Sequence, residues 1–520
     1  MHIIPRCTLL PLSLWFYAAM LIATSDKLLS QAIDADSAAW WRETARKDLA
    51  TARDVMNTKY IDALNAPGPE WDRFLGDATR AAEVDVTRVR DAAGYQSVLK
   101  HFVSAFDDAH VRVRFLKDRP RNQEWPGFIV RFMAGQFAIV ESERPDVKLG
   151  SAVTGCDAKP IDQVLAEIMP YEQVRRHLEL ESTRAALARA LFVDDRSSLR
   201  PRPTTCRIGG KQVALNWRPI ANVRLAELER AHGPYRNTET SIENWGSNAA
   251  WVRMPTMGPS GDAARQFARI IEQAPSIRNK DAIVIDVRGN GGGSYNWFMG
   301  FLDSLYGPAY SDYYAHARLE IVNVMSGAGG GRAAGSGRGG REVAPVGAPT
   351  MGRGDAGRGN AVQIGAGADA SPRAPMDRRL EGGGMKTTSR PGGNASTLTI
   401  LEPSGGAAPP SGLAPQSPVH ARVFLLTDNG CASACISFVD EMQRFPDVLR
   451  IGRETYVDSR EGSPNNFDLP SGEASISVPA MMRENRARGN NFAWKPDVLF
   501  DGDIGDTQAI RTWITNVLMK

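Results

Sequence analysis

The sequence lacks the spacings that hold metal ions. It contains no Cys-x-x-Cys pair and no Cys/His grouping of the zinc type, and nothing in it calls for a metal or a cofactor. It also lacks a charge imbalance. A net charge of +3 over 520 residues gives no reason to expect nucleic acid as a partner. Past the N-terminus no apolar run is long enough to cross a bilayer. Lysine is scarce at the far end of the chain, where Lys495 and Lys520 are the only ones after residue 433. A phosphate-binding loop is missing as well. The cluster Gly289-Asn290-Gly291-Gly292-Gly293 has neither the Walker spacing nor its Lys-Ser/Thr ending.

What is present is an ordinary globular composition in a chain long enough for about two to four domains. Residues 1–32 read as a secretory signal. His2 and Arg6 lie in a short basic start, an apolar core runs from Leu9 to Ala23, and Ser30-Gln31-Ala32 fits a small-x-small cleavage site. An uncleaved anchor helix is the other reading, and the shortness of the apolar run favours cleavage. The expected location is periplasmic or secreted, with no stable membrane span after cleavage. Export brings oxidising conditions. Of the five cysteines, Cys7 leaves with the signal, and the other four allow three pairings. Cys156 with Cys206 and Cys431 with Cys435 is the pairing we expect, with buried free thiols as the alternative.

Residues 33–115 carry helical periodicity, from Trp40 to Leu49 and from Tyr95 to Phe106. The period then changes to alternation in Val111-Arg112-Val113-Arg114-Phe115, which puts His110 at a helix-to-strand joint. A lone histidine is ordinarily a surface or capped residue. Residues 116–220 read as a β module with an inserted charged helix from Tyr171 to Leu191. Residues 221–325 alternate strand and helix, which implies a layered α/β core. Here Asp281 to Arg288 is a buried-type strand that runs into the glycine cluster, and a helix follows from Tyr295 to Tyr306. Residues 326–418 are rich in Gly, Ala, Arg and Pro and poor in large apolar residues. They read as a disordered or weakly ordered insertion unable to bury a core. The α/β pattern resumes over 419–520.

The stretch from Val423 to Phe438 concentrates the chemistry. An apolar run ends in Asp428-Asn429-Gly430, small residues surround Ser433, and Ile436, Phe438, Val439 and Met442 recur at helical spacing. Ser433 therefore sits where a strand turns into a helix, beside backbone N–H groups that face outward. Close packing of helix on strand would also account for the small residues.

Three pieces in order resemble one family, the C-terminal-processing and tricorn-type serine peptidases. Ile285-Asp286-Val287-Arg288-Gly289-Asn290-Gly291-Gly292-Gly293 is similar to the family's h-D-h-R-x-N-x-G-G loop. Cys431-Ala432-Ser433-Ala434-Cys435 followed by Ile451-Gly452-Arg453-Glu454-Thr455 is similar to its x-A-S-A-S/C and h-G-x-x-T segments. Lys495-Pro496-Asp497-Val498 matches its late x-P-D-h. Leu149 to Leu165 resembles the strand, turn and helix of a PDZ domain. The resemblance covers roughly residues 100–520 without the insertion.

The resemblance implies a crotonase-like α/β core, behind an N-terminal helical region and a PDZ-like β module. It implies attack on a peptide or protein substrate by Ser433. A serine hydroxyl needs a base. The lysine of the Ser-Lys branch is replaced by Asp458, and Lys495 belongs to the x-P-D strand. The tricorn-type branch draws its base from a D-x-H-S/T segment ahead of the PDZ-like region. Asp108-Ala109-His110-Val111 resembles that segment except at Val111, so His110 is the expected base. The orienting acid of that branch falls at Asn490, with Glu484, Asp458 and Glu461 as alternative carboxylates. Backbone N–H groups of Gly292, Gly293 and Ala434 are the expected oxyanion donors. Two other functions fit the same fold: an inactive member that binds peptides or ligands, and an acyl-transfer enzyme with the same oxyanion geometry.

Overall fold

In the computed structural model, residues 37–519 are described except 120, 175, 233–237, 247, 315–319, 327–384, 389–395, 402–414 and 485–487. The expected signal, residues 1–32, lies outside the described residues.

The N-terminal region is helical, as its periodicity predicts. The Ser37 hydroxyl accepts from the Trp40 N–H and caps the helix Ala38–Lys59, which buries Trp41, Ala45, Leu49, Ala52 and Met56 on one face. The Asp91 carboxylate caps Ala92–Ser104 through the N–H groups of Ala93 and Gly94. These helices share a core with the strand Arg112–Phe115 and with Ile476 and Val478 of a strand from the far end of the chain. Val113 lies opposite Ile476 in antiparallel register. The histidine end of the chain is thereby fastened to the C-terminal region.

The β module is an antiparallel sheet in the order Phe128–Met133, Gln136–Ser142, Ala152–Cys156, Thr205–Ile208 and Lys211–Ala214. Helices Ile161–Ile168 and Glu181–Phe192 pack on it, and a Cys156–Cys206 disulfide ties two neighbouring strands. The inserted helix is shorter than the expected Tyr171–Leu191. The Gln173 side chain instead behaves as a strand partner: its Oε1 accepts the Val113 N–H at 2.8 Å and its Nε2 donates to the Val113 carbonyl at 3.0 Å. The chain before residue 181 is drawn out of the helix to meet the histidine strand.

The α/β core is built on a second sheet, ordered Ser241–Trp245, Ala249–Arg253, Ala282–Asp286, Arg422–Thr427, Val448–Gly452 and Val498–Leu499. All neighbours except the first pair are parallel. Alternate residues feed two cores. Ile283 and Ile285 face helices Gly261–Gln273, Tyr295–Tyr306 and Ala434–Met442, while Ala282 and Val284 face the C-terminal helix through Ile510 and Ile514. A strand covered on both faces needs an unbroken apolar sequence, and Ala282-Ile283-Val284-Ile285 is one.

A further antiparallel sheet joins Arg112–Phe115, Ala474–Glu484, Glu461–Asp468, Glu320–Ser326, Ser396–Leu401 and Met385–Thr388. The last two strands fall inside the stretch 326–418 expected to be disordered or weakly ordered. Within it, the alternating Ser396-Thr397-Leu398-Thr399-Ile400-Leu401 has the pattern of a paired strand. The rest of that stretch up to residue 414 lies outside the described residues. Among the described residues no helix is long and apolar enough to cross a membrane.

Candidate active site

Two parallel strands bring the serine turn and the glycine loop together. Ala282–Asp286 and Arg422–Thr427 run side by side with Asp286 opposite Leu426, so the loops at their carboxyl ends emerge next to each other. Ser433 lies at the N-terminus of Ala434–Met442 with φ 52° and ψ −119°, and its side chain does not cap the helix. The hydroxyl is left for other partners. A Cys431–Cys435 disulfide spans the turn.

The polar residues of the glycine-loop motif each hold the loop in place. The buried Asp286 and Arg288 pair, with Arg288 Nη2 2.6 Å from Asp286 Oδ2. Arg288 also donates to the Ile504 carbonyl at 2.6 Å and to Thr507 Oγ1 at 2.9 Å, which ties the strand end to the C-terminal helix. Asn290 is fully buried. Its Nδ2 donates to the Met254 carbonyl at 2.7 Å, its Oδ1 accepts the Gly292 N–H at 2.9 Å, and its own carbonyl accepts the Ala432 N–H at 2.9 Å. One residue thus links the glycine loop to the serine turn. Asp428 does the same from the other strand, accepting from the N–H groups of Gly289 at 2.8 Å and Gly430 at 3.0 Å. Burial pushes its carboxyl up to about 6, against the pull of those two donors.

Gly292 presses directly on the serine turn. A Cβ at that position would sit 2.7 Å from the Ala432 carbonyl oxygen, 2.8 Å from the Ser433 Cβ and 2.9 Å from the Ala434 nitrogen. The commitment of the Gly292 N–H to Asn290 departs from its expected role as an oxyanion donor. Gly293 and Ala434 differ: neither N–H has a backbone or side-chain acceptor among the described residues.

His110 comes to this site from the other end of the chain. Its Nε2 lies 3.3 Å from Ser433 Oγ, across 323 residues of sequence. The residue that shapes its turn is Asp108, whose Oδ1 accepts the His110 N–H at 2.8 Å in an Asx turn. The same oxygen stands 3.7 Å from His110 Nδ1, a buried nitrogen with no hydrogen-bond partner among the described residues. In the sequence the only signal for Asp108 is its place in the Asp-x-His segment, two residues before His110. Behind Asp108 lies a group of acids. The Tyr60 hydroxyl is 3.2 Å from Asp108 Oδ2 and 3.1 Å from Asp62 Oδ2. Burial raises the Glu461 carboxyl, and the charges of Asp108 and Asp62 raise it further. Burial likewise raises Asp62 and keeps the Tyr60 phenol protonated.

The residues expected to supply an orienting acid lie in other contacts. Asn490 Oδ1 accepts the Arg460 N–H at 2.8 Å. Asp458 is buried in an ion pair 2.7 Å from Arg488 Nη2, while Arg488 Nε lies 3.1 Å from Asp440 on the helix after Ser433. An aspartate paired with an arginine satisfies this buried position without supplying a base. Glu484 ends the strand Ala474–Glu484, and its side chain lies outside the described residues.

The serine turn and the glycine loop lie together at the carboxyl edge of one parallel sheet. Residues 248–498 match the family described as peptidase family S41; the chain carries a domain of that family and is a serine-type peptidase. Among solved structures it is similar to that of mature CPAF, at 17% identity over 92% of this chain and 97% of that one, with a TM-score of 0.50. A CPAF mutant structure gives 15% identity over 92% and 96% of the two chains, again with a TM-score of 0.50. At such identities these two likenesses speak for the fold. No curated protein matches the chain.

Proposed function

We propose that the protein is an exported peptidase that cleaves peptide bonds with Ser433 as nucleophile and His110 as general base. The observation that carries this reading is the 3.3 Å approach of His110 Nε2 to Ser433 Oγ. Neutral His110 takes the serine proton as Oγ attacks the carbonyl carbon. The N–H groups of Gly293 and Ala434 receive the developing oxyanion. The imidazolium then gives its proton to the leaving amine, and water repeats the sequence on the acyl-enzyme. Asp108 is the orienting acid in this scheme. Its Asx turn fixes the backbone of His110, and its Oδ1 is the carboxylate oxygen facing Nδ1. A slight tightening from 3.7 Å on substrate binding would complete that hydrogen bond.

The core is read as crotonase-like and the β module as PDZ-like. The strands Phe128–Met133 and Lys211–Ala214 end the described module sheet, and strand addition there would hold an extended peptide. Export is supported by the leader-like N-terminus and by two disulfides.

A fluorophosphonate probe tests the site. The expected result is covalent labelling of Ser433, lost in Ser433→Ala and slowed by about 10²–10⁴-fold in His110→Ala. Folded protein that takes no label, and is indifferent to His110→Ala in every assay, would be a binding member of the family instead.

A further inference from the structure

Ser433 holds a backbone conformation that a side chain disfavours. Its φ of 52° with ψ of −119° lies outside the regions open to most residues other than glycine. Such a residue stays in place only where its surroundings over-determine it. Hydrogen bonds anchor both flanks of the turn. The Cys431 N–H donates to the Asp428 carbonyl at 3.1 Å, the Tyr456 N–H to the Cys431 carbonyl at 3.0 Å, and the Cys435 N–H to the Ala432 carbonyl at 3.0 Å. Across these flanks runs the Cys431–Cys435 disulfide, which closes the ring Cys431-Ala432-Ser433-Ala434-Cys435 with the serine at its centre.

Two observations separate this bond from an ordinary staple. A disulfide gains its stabilising effect chiefly from the length of loop it closes. Here the sequence separation is 4, whereas Cys156–Cys206, in the β module, closes 50 residues. Both Cys431 and Cys435 are also fully buried, and Cys435 Sγ lies 3.9 Å from the Val287 carbonyl just ahead of the glycine loop, so the bond braces the interior face of the turn. What the short bond contributes is position rather than loop entropy.

We propose that the Cys431–Cys435 disulfide is a positioning element for Ser433, and that the competence of the serine follows the redox state of this pair. Two thiols lose two electrons and two protons to a disulfide oxidant and form the bond. A dithiol returns them, opens the bond and becomes a disulfide itself. The oxidised chain is the active one, and the reduced chain relaxes the turn. The inference rests on the reading of Ser433 as nucleophile.

The test uses the full oxidised chain, a fluorophosphonate probe and the double variants Cys431→Ser/Cys435→Ser and Cys156→Ser/Cys206→Ser. Opening the 431–435 pair is expected to lower the maximal labelling rate on the order of 10²-fold, as for a misplaced reacting group. Probe affinity and circular dichroism should be preserved, and the module variant should keep its labelling rate. If the serine variant does not fold, dithiothreitol on the natural chain replaces it, with alkylation mapping to show which pair has opened and oxidised glutathione to restore the rate. Labelling that is unchanged with the pair open overturns the inference. So does loss of labelling that only tracks unfolding, which would make the bond a staple. If the oxidised chain takes no label at Ser433, the nucleophile reading falls as well, whereas a labelled chain indifferent to the pair removes this inference alone.

Discussion

Asp108 has two jobs within one side chain. Its Oδ1 holds the turn through the His110 N–H at 2.8 Å and faces Nδ1 of the same residue at 3.7 Å. The substitution Asp108→Asn separates these jobs. The amide oxygen can still accept the backbone N–H, so the turn survives, but the negative charge that would steady an imidazolium is gone. The expected outcome is a fall of about 10²–10⁴-fold in the maximal probe-labelling rate, with probe affinity and thermal midpoint little changed. A rate within about threefold of the natural chain would remove Asp108 from the site. At this scale the sequence was legible where a motif names an atom. The sequence singles out Ser433 and His110, each at a change of periodicity beside a recognisable pattern, and the fold brings their side chains within 3.3 Å. At the late motif, Asn490 and Asp458 are engaged by Arg460 and Arg488. The carboxylate nearest His110 is instead two residues before it.

Among the elements, the glycine loop and the helix after Ser433 meet with no room to spare. Gly292, at φ 104°, sits where a Cβ would meet the Ala432 carbonyl oxygen at 2.7 Å and the Ala434 nitrogen at 2.9 Å. Gly292→Ala would drive a methyl group into backbone atoms on both sides of Ser433. Gly150 is a useful contrast: it too has positive φ, 76°, but a Cβ there meets nothing within 4 Å. Gly150→Ala is expected to cost about 1 kcal/mol of stability with labelling intact. Gly292→Ala should lose labelling by at least about 10²-fold, whether or not the fold survives. Equal effects of the two variants in labelling would contradict the close packing. A second joint lies at Arg488, which connects Asp440 of the helix after Ser433 to Asp458. Arg488→Met would leave two buried carboxylates without their cation, and a loss of about 3–5 kcal/mol is expected in chemical denaturation. The elements themselves were legible in proportion to their apolar pattern. The helix Tyr295–Tyr306 and the strand within Asp281–Arg288 appear where the sequence places them. The strands Glu461–Asp468 and Ala474–Glu484 were missed. The first is polar and mostly exposed, and the second buries its apolar residues only by meeting helices from the N-terminal end.

For the whole molecule, buried acids set the pH at which this assembly is most stable. Glu441, on the helix after Ser433, is buried with its Oε1 3.5 Å from the Tyr295 hydroxyl and its Oε2 3.7 Å from Arg444 Nε. Burial pushes its carboxyl up to about 8, more than the Arg444 charge can offset. An unfolded glutamate titrates near about 4.3, so between these values the folded chain holds a proton that the unfolded chain has lost. That contribution is fully present below the unfolded value and is lost as pH rises to about 8. Asp428, up to about 6, acts in the same direction. Glu473 acts in the opposite one. Burial works against its charge, but Arg119 and Lys117 hold it below the usual range, and its contribution fades as pH falls through that lowered value. Stability should therefore be greatest in mildly acidic solution and decline toward alkaline pH, by a few kcal/mol on account of Glu441. A histidine base works against this, because it must be neutral to accept the serine proton. Glu441→Gln removes the titrating group while keeping the side-chain shape. Thermal midpoints between about pH 5 and about pH 9 should fall less steeply in this variant than in the natural chain. Parallel curves would show that Glu441 does not cause the decline.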